Sequence, residues 1–208
     1  ENNKLIDTGP PTLLHDLDIL PYPDYEGFDY EKYMENHNLP TASKHSAVLG
    51  LGDNRRRGAM LLSRGCVMKC TFCFRILEAD AKGYRTRSMD HILGELKYLI
   101  KKYKVNDLEL MDEMLASNKK RLYDFCKLIK PFNIKWTCQL RVNVVDDDLL
   151  KVMKESGCWI ISYGFESGSR KVLKSMQKGV TADMIHRAIK ATRKAKICMQ
   201  GNFLFGDP

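Results

Sequence analysis

Three of the seven cysteines lie within eight residues, at Cys66, Cys70 and Cys73. A disulfide would use two of these thiols and leave one, and a catalytic thiol nucleophile would need only one. A zinc site would need a fourth ligand, and His91, eighteen residues beyond Cys73, lies in a segment with helical periodicity. Three thiolates can instead bind three irons of a 4Fe–4S cluster and leave the fourth iron open. The spacing therefore favours an iron–sulfur site.

The segments that must position these cysteines alternate between strand and helix from residue 58 onward. Apolar runs predict five strands at AMLLS, VNDLELMD, KWTCQLRVN, WIISYGFES and ICMQGNFLFG. Amphipathic segments lie between them, and the first begins with Ser88 as an expected N-cap. This order predicts a parallel sheet with helices outside. The cysteines follow the first strand, which places them at the C-terminal ends of the strands.

The strand faces distinguish an open sheet from a barrel. One face of the third strand carries Gln139 and Arg141, and one face of the fourth carries Ser162 and Glu166. In the fifth strand, Asn202 shares a side with other polar residues. Strands covered by helices on both faces should be apolar nearly throughout. The sequence therefore predicts an α/β fold with a partial barrel of parallel strands, about five of them present, and a polar ligand inside.

The composition, 44% hydrophobic and 29% charged, is typical of a globular protein. No apolar run reaches the roughly 18 residues of a membrane helix, so we expect no membrane partner. An odd number of mostly unclustered cysteines argues against a secreted disulfide scaffold. The four remaining cysteines lie singly in apolar stretches and are predicted to be core thiols: Cys126, Cys138, Cys158 and Cys198.

The first 50 residues differ from the rest of the chain. They hold five of the seven prolines and carry three lysines against five aspartates and four glutamates, whereas the whole chain has a net charge of +8. We expect residues 1–50 to be a proline-rich, acidic lead-in or linker, irregular apart from one short helix at FDYEKYMEN, and residues 51–208 to be the core domain. The basic excess falls in amphipathic segments and favours solvated helix faces. A nucleic-acid surface is the alternative.

The motif Cys66-x3-Cys70-x2-Cys73, with Phe72 before the last cysteine, resembles the hallmark of the radical S-adenosylmethionine (SAM) enzymes. The resemblance covers residues 58–208. The runs LMDEMLASNKKRLYDFC, YGFESGSRKVLKSMQKGVT and ICMQGNFLFGDP are similar to the subgroup that often carries a cobalamin-binding domain ahead of the radical domain. The run DLDILPYPDYEGFDYEKYM resembles the linker that follows the cobalamin domain in that subgroup.

The resemblance implies a (βα)6-type TIM-like barrel in which Cys66, Cys70 and Cys73 hold a 4Fe–4S cluster. It implies that SAM chelates the open iron and is cleaved by one electron to methionine and a 5′-deoxyadenosyl radical, which takes a hydrogen from the substrate. A reducing electron donor of the flavodoxin or ferredoxin type is expected. Because oxygen attacks an open iron, an anaerobic or reducing cytoplasm is expected too. Cobalamin is expected only through a domain outside this chain.

The resemblance also implies which residues bind SAM. Phe72 is expected near the adenine. Where many family members have Gly-Gly-Glu, this chain has Met111-Asp112-Glu113, so Asp112 or Glu113 is expected to bind the methionine amine or face the substrate. Arg141 suits the methionine carboxylate, with a salt bridge at the barrel rim as the alternative. The other expected SAM-binding residues are Gln139, Ser162, Glu166 and Asn202.

Several functions remain open at this point. The favoured one is C–H modification of an unknown substrate, such as cobalamin-dependent methylation or rearrangement. A methylthiotransferase-like modifier of RNA or protein would need a further domain with its own cluster cysteines. A non-catalytic electron carrier usually gives every iron a protein ligand, and three cysteines fall short. The chain begins with Glu1 and has five predicted strands where a complete family core has six, so we expect a piece of a longer protein. An inactive fragment is the last alternative.

Overall fold

Five parallel strands form the central sheet of the protein. In a computed structural model that describes residues 9, 13–36, 55–73, 83–116 and 118–206, they are β1 (Arg57–Met60), β4 (Asp107–Leu110), β5 (Lys135–Leu140), β6 (Cys158–Glu166) and β7 (Cys198–Phe203), adjacent in this order. A two-residue antiparallel pair, β2 (Ser63–Arg64) and β3 (Arg85–Thr86), lies between β1 and β4 in the chain. Among the described residues the sheet does not close, so the fold is the partial barrel that the alternating segments predict.

Helices connect the parallel strands and begin where the sequence places caps. They are α1 (Tyr30–Asn36), α2 (Met89–Tyr103), α3 (Lys119–Ile129), α4 (Asp147–Glu155), α5 (Arg170–Ser175) and α6 (Ala182–Lys194), with a 3-10 turn at Lys130–Phe132. Ser88 accepts a hydrogen bond from the backbone N–H of His91, which confirms the predicted cap of α2. Each helix from α3 to α6 also has a side-chain N-cap.

Strand register separates an apolar outer face from a polar inner face. Gln139 is paired with Ser162, and Ser162 with Gln200, so these polar side chains form one inner row. The alternate residues on the outer face are almost fully buried: Trp136, Cys138, Leu140, Ile161 and Tyr163. This difference confirms the assignment of faces from the sequence, because only the outer face packs against helices.

A β-bulge in β6 brings an aromatic side chain to the N-terminal end of the sheet. Trp136 is paired with Cys158 and Thr137 with Ile160, which leaves Trp159 as the extra residue. The Trp159 indole N–H donates to Asp107 Oδ1 at 3.0 Å. Two guanidinium groups also bind the fully buried Asp107, that of Arg55 at 3.2 Å and that of Arg57 at 3.0 Å. We call Arg55, Arg57, Asp107 and Trp159 the floor.

The described part of the lead-in packs against the core, although its prolines predict an irregular, unpacked segment. Leu17, Tyr25 and Met34 are buried. The Tyr25 hydroxyl donates to Glu95 of α2 at 2.5 Å, and Glu95 forms an ion pair with Arg87 at 2.5 Å. Proline restricts the chain but leaves its aromatic neighbours available for packing. The predicted domain boundary near residue 50 lies outside the described residues.

Candidate metal and nucleotide site

The cysteine loop starts and ends at the pair formed by β2 and β3, which we call the clasp. Ser63 is paired with Thr86 and Arg64 with Arg85. The backbones meet most closely at Gly65, where φ is +84° and an added Cβ would overlap the carbonyl oxygen of Gly83. The clasp therefore holds the two ends of the cysteine loop together near the C-terminal end of β1. The order of the segments predicts the loop at this place.

The three cysteines occupy different environments within this loop. Cys66 is half-buried, with its Sγ 4.0 Å from Met114 Sδ. Cys70 is buried, and its Sγ lies 3.8 Å from a terminal nitrogen of Arg141. Cys73 is exposed, and its backbone N–H donates to the Cys70 carbonyl at 3.3 Å. Of the three, only Cys70 is held in the interior.

The loop fits an iron–sulfur cluster by its donor set. Within the described ranges, no three His, Cys, Asp or Glu side chains converge as a single metal ion would require. In a 4Fe–4S cluster each cysteine binds a different iron, so the cysteine sulfurs lie farther apart than the ligands of a single metal ion. Three thiols on one short loop supply the number of ligands that leaves one iron open. The Arg141 guanidinium beside Cys70 offsets the negative charge of a thiolate.

The acidic pair at the end of β4 divides into a buried and an exposed carboxylate. Asp112 accepts hydrogen bonds from the backbone N–H of Leu62 at 3.0 Å and from the Ser63 hydroxyl. Burial raises the pKa of Asp112 above its ordinary value, although these hydrogen bonds act in the opposite direction. Asp112 thus secures the segment that leads into the cysteine loop. Glu113 is exposed, so it is the member of the pair that can reach a ligand.

A cavity of about 1100 Å³ adjoins the loop and is lined in part by the lead-in. Glu113, Arg64 and Cys66 are among the residues that line it. The lead-in contributes Leu17, Leu20, Pro21, Tyr22, Pro23 and Tyr25. The described lead-in therefore forms a wall of the space beside the candidate cluster ligands.

The inner row of the sheet forms a polar strip, which we define as Gln139, Ser162, Gln200 and Asn202. The Asn202 amide donates to the Ser162 hydroxyl at 3.0 Å, and the Gln200 amide donates to Asn202 at 3.2 Å. Gln139 lies beside Ser162 in the register of β5 and β6. The structure thus brings together three of the residues expected to bind SAM. Their groups can both donate to and accept from the hydroxyls and ring nitrogens of a nucleoside.

The remaining predicted residues meet around a lysine that the sequence analysis did not single out. Lys178 Nζ lies 2.7 Å from Glu166 Oε1 and 5.5 Å from the centre of the Phe72 ring. The Lys178 carbonyl accepts a hydrogen bond from Arg141, whose buried Nε has no partner among the described residues. A lysine in a turn carries no periodic signal, so only its place in the run YGFESGSRKVLKSMQKGVT could have marked it.

One of the four predicted core thiols lies at the surface. Cys126, Cys138 and Cys158 are buried, and burial raises the pKa of Cys126 to about 11. Cys198 is exposed, so its assignment to the core was wrong. The reason is its position on β7, which has a neighbouring strand on one side only within the described sheet.

Fold and site together define an α/β half-barrel that presents three cysteines at the C-terminal edge of its parallel sheet. The model of the Radical SAM superfamily matches residues 60–206. The chain therefore belongs to the radical SAM superfamily. In the part of the chain that the structure describes, no helix has the length and apolar character to span a bilayer.

Two relatives extend over nearly the whole chain. An uncharacterized methyltransferase of Pyrococcus horikoshii is 30% identical over 210 residues, which are 100% of this chain and 42% of the relative. The cytidylyl-2-hydroxyethylphosphonate methyltransferase of Streptomyces wedmorensis is 26% identical over 200 residues, which are 95% of this chain and 36% of the relative. The chain thus spans less than half the length of either relative.

A solved structure confirms the predicted fold class. The radical SAM methyltransferase TsrM from Kitasatospora setae, with tryptophan and a SAM analogue bound, has a TM-score of 0.62 at 20% sequence identity. The similarity covers 73% of this chain and 31% of TsrM. Another structure of TsrM contains cobalamin and a [4Fe–4S] cluster. At this identity the similarity concerns the fold.

Proposed function

We propose that the protein is a radical SAM enzyme in which Cys66, Cys70 and Cys73 hold a 4Fe–4S cluster with one iron open to SAM. When bound, the cluster and SAM supply a 5′-deoxyadenosyl radical that removes a hydrogen atom from a C–H bond of the substrate. The observation that carries the proposal is the clasped three-cysteine loop at the C-terminal edge of the sheet, within the range that matches the superfamily.

The chain's own residues then bind and orient SAM beside this loop. Arg141 is the expected partner of the methionine carboxylate, because a guanidinium pairs well with a carboxylate and its Nε lacks a partner among the described residues. Glu113 or Glu166 is the expected partner of the amine. The polar strip supplies partners for the adenosine, and Phe72 supplies an aromatic face for the adenine.

The substrate reaction that we propose is methylation with cobalamin, which a domain outside this chain would hold. The support is that two relatives are named methyltransferases and that TsrM has been solved with cobalamin. In this proposal residues 1–50 link that domain to the core domain at 51–208. The lead-in lines the cavity beside Cys66, which suits a segment between two cofactor-bearing parts. A flavodoxin or ferredoxin in the cytoplasm would supply the electron.

The basic helices favour solvated outer surfaces over a nucleic-acid surface. Three of their lysines form ion pairs with acidic residues of neighbouring elements: Lys119 with Asp146, Lys130 with Glu155 and Lys194 with Asp147. Each pair neutralises one lysine of these helix faces, which suits a solvated surface. The remaining excess, a net charge of +8 for the chain, is the feature that the methylthiotransferase-like alternative would use.

The test begins with anaerobic purification and reconstitution with iron and sulfide. We expect about four irons per chain and a 4Fe–4S signal by Mössbauer and EPR spectroscopy, followed by 5′-deoxyadenosine when a reductant and SAM are added. A variant with Cys66, Cys70 and Cys73 replaced by alanine should lose all of these signals. The exposed Cys198→Ala is the matched control and should keep them. A wild-type protein without a cluster would contradict the proposal, and a cluster that never cleaves SAM would indicate an electron carrier.

A further inference from the structure

We infer that Lys178 is a positioning residue of this site, which holds Glu166, Phe72 and Arg141 in the arrangement that SAM binding requires. The inference rests on the proposed function, because it concerns the residues around the proposed cluster. Lys178 lies in the turn between α5 and α6, and we call residues 175–179 the brace. The side chain of Lys178 is only 9% exposed, which is rare for a lysine without a specific role.

The brace is attached directly to the cysteine loop. The backbone N–H of Thr71 donates to the Met176 carbonyl at 3.1 Å. The Thr71 hydroxyl donates to the Ser175 carbonyl at 3.4 Å. Thr71 lies between the second and third cysteines of the motif, so the brace holds the part of the loop that carries Cys70 and Cys73.

The backbone of the brace orients Arg141. The Lys178 carbonyl accepts a hydrogen bond from one terminal nitrogen of Arg141, and the other terminal nitrogen lies 3.8 Å from Cys70 Sγ. Gln177 and Gly179 have φ of +49° and +70°, so left-handed residues bracket Lys178 on both sides. This turn directs both the carbonyl and the side chain of Lys178 into the site.

The side chain of Lys178 orients Glu166 and faces Phe72. Its ammonium lies 2.7 Å from Glu166 Oε1, and both side chains are largely buried, at 9% and 12% exposure. The same ammonium lies 5.5 Å from the Phe72 ring centre, within the range of a cation–π contact. The ion pair with Lys178 fixes the orientation of the Glu166 carboxylate. Loss of Lys178 removes this contact and leaves the Glu166 charge buried without its partner, which is costly.

Gly164 supplies the space in which this ion pair lies. An added Cβ at Gly164 would overlap Glu166 Oε1 and approach Lys178 Nζ to 2.8 Å. Both atoms are at the ends of flexible side chains, so Gly164→Ala should displace the ion pair while keeping both charges and the fold. The glycine therefore provides a second, independent way to disturb the same arrangement.

The first experiment compares Lys178→Met with Lys178→Arg in the reconstituted protein. The control is Lys194→Met, which removes the same charge from an exposed ion pair with Asp147. We expect Lys178→Met to remain folded by circular dichroism and to weaken SAM binding by about tenfold or more, as second-layer substitutions at metal sites do. The SAM-induced change in the EPR spectrum of the reduced cluster should shrink in parallel. Lys178→Arg should restore most of the affinity, and Lys194→Met should bind SAM as the wild type does.

Two further variants decide the inference if Lys178→Met fails to fold. Gly164→Ala should weaken SAM binding to a similar degree, and Gly164→Ala added to Glu166→Gln should weaken it no further than Glu166→Gln alone. Unchanged SAM affinity in Gly164→Ala would overturn the inference. Failure of the proposed function is distinguishable, because the wild-type protein would then assemble no cluster or bind no SAM.

Discussion

The two ends of the parallel sheet use similar residues in opposite ways. At the N-terminal end, the floor surrounds a fully buried carboxylate, Asp107, with donors from Trp159, Arg55 and Arg57. At the C-terminal end, a buried nitrogen of Arg141 has no partner among the described residues, and Cys73 and Glu113 are exposed. One end satisfies its own charges, and the other leaves groups available to a ligand.

This difference separates stability from function along the strands. In barrel folds the N-terminal ends of the strands contribute stability and the C-terminal ends carry the chemistry. The floor fits the first role because its charges are matched within the chain. Arg141 fits the second role because leaving a buried donor unpaired is costly, and a bound carboxylate would remove that cost.

The largest effect on the free energy of unfolding is expected from a substitution in the floor. Asp107→Ala leaves two guanidinium groups and an indole N–H without their shared acceptor, and should lower the free energy of unfolding by about 3–5 kcal/mol. Urea denaturation measures this loss. Asp107→Asn keeps one acceptor oxygen and should lose less. A loss below about 1 kcal/mol for Asp107→Ala would show that the floor acts as a surface ion pair does.

Replacing Asp112 should have an intermediate effect on the free energy of unfolding, and the contribution of this residue should depend on pH. Asp112→Ala leaves the Leu62 N–H without its acceptor, whereas the Ser63 hydroxyl keeps the Met114 carbonyl at 3.3 Å, and should cost about 1–3 kcal/mol. Because burial raises the pKa of Asp112, the folded state binds a proton more tightly than the unfolded chain. The stability from this proton is complete below the unfolded pKa and is lost as pH rises through the folded pKa.

The matched variant for the pH experiment is Asp112→Asn, which cannot titrate. The free energy of unfolding of the wild type should fall relative to that of Asp112→Asn as pH rises above the ordinary value of 3.8. Urea titrations at a series of pH values measure the difference. A difference that stays constant with pH would show that burial does not govern this carboxylate.

Replacing Arg141 should have the opposite outcome to replacing Asp107 of the floor. The free energy of unfolding should change little, and the affinity for SAM should change more. Arg141→Met removes one hydrogen bond to Lys178 and should cost about 1 kcal/mol of stability. Its affinity for SAM, measured by equilibrium dialysis on the reconstituted protein, should fall by about tenfold or more. If stability falls as far as in Asp107→Ala while SAM binding is unchanged, the two ends of the sheet do not differ as described.

The smallest effects are expected in the rates at which the individual cysteine thiols are alkylated. In the native apo protein, alkylation should modify the exposed Cys73 and Cys198 first. The buried Cys126 and Cys158 should react only after unfolding, because burial raises the pKa of both thiols. Mass spectrometry of peptides after brief treatment with iodoacetamide measures the order. Early modification of Cys158 would show that the outer face of the sheet opens readily.

The elements and faces were predictable because they repeat. The period of α2 and the alternation in β5 extend over several turns and residues, so the cap at Ser88 and the inward side of Gln139 followed from pattern alone. The location of the cysteine loop followed from its position after the first strand. In each case the signal was local and needed no knowledge of distant contacts.

The features that were not predicted depend on contacts between distant segments. The strands of the clasp have two residues each, too few to show a period. Lys178 lies in a turn, where a lysine usually extends into solvent, and only the fold brings it to Glu166. The lead-in was expected to be irregular, but its aromatic residues pack on α2, a contact across about seventy residues of sequence.

The extra residue at Trp159 determines which side chains of β6 face the ligand. With continuous pairing from Trp136 and Cys158, Gln139 would lie opposite Ile161 rather than Ser162. Ile161, Tyr163 and Phe165 would then point inward, and Ser162 and Glu166 would point at the helices. The parity of the strand therefore depends on leaving one residue of β6 unpaired, because pairing Trp159 into the ladder would exchange the lining of the site for its hydrophobic backing.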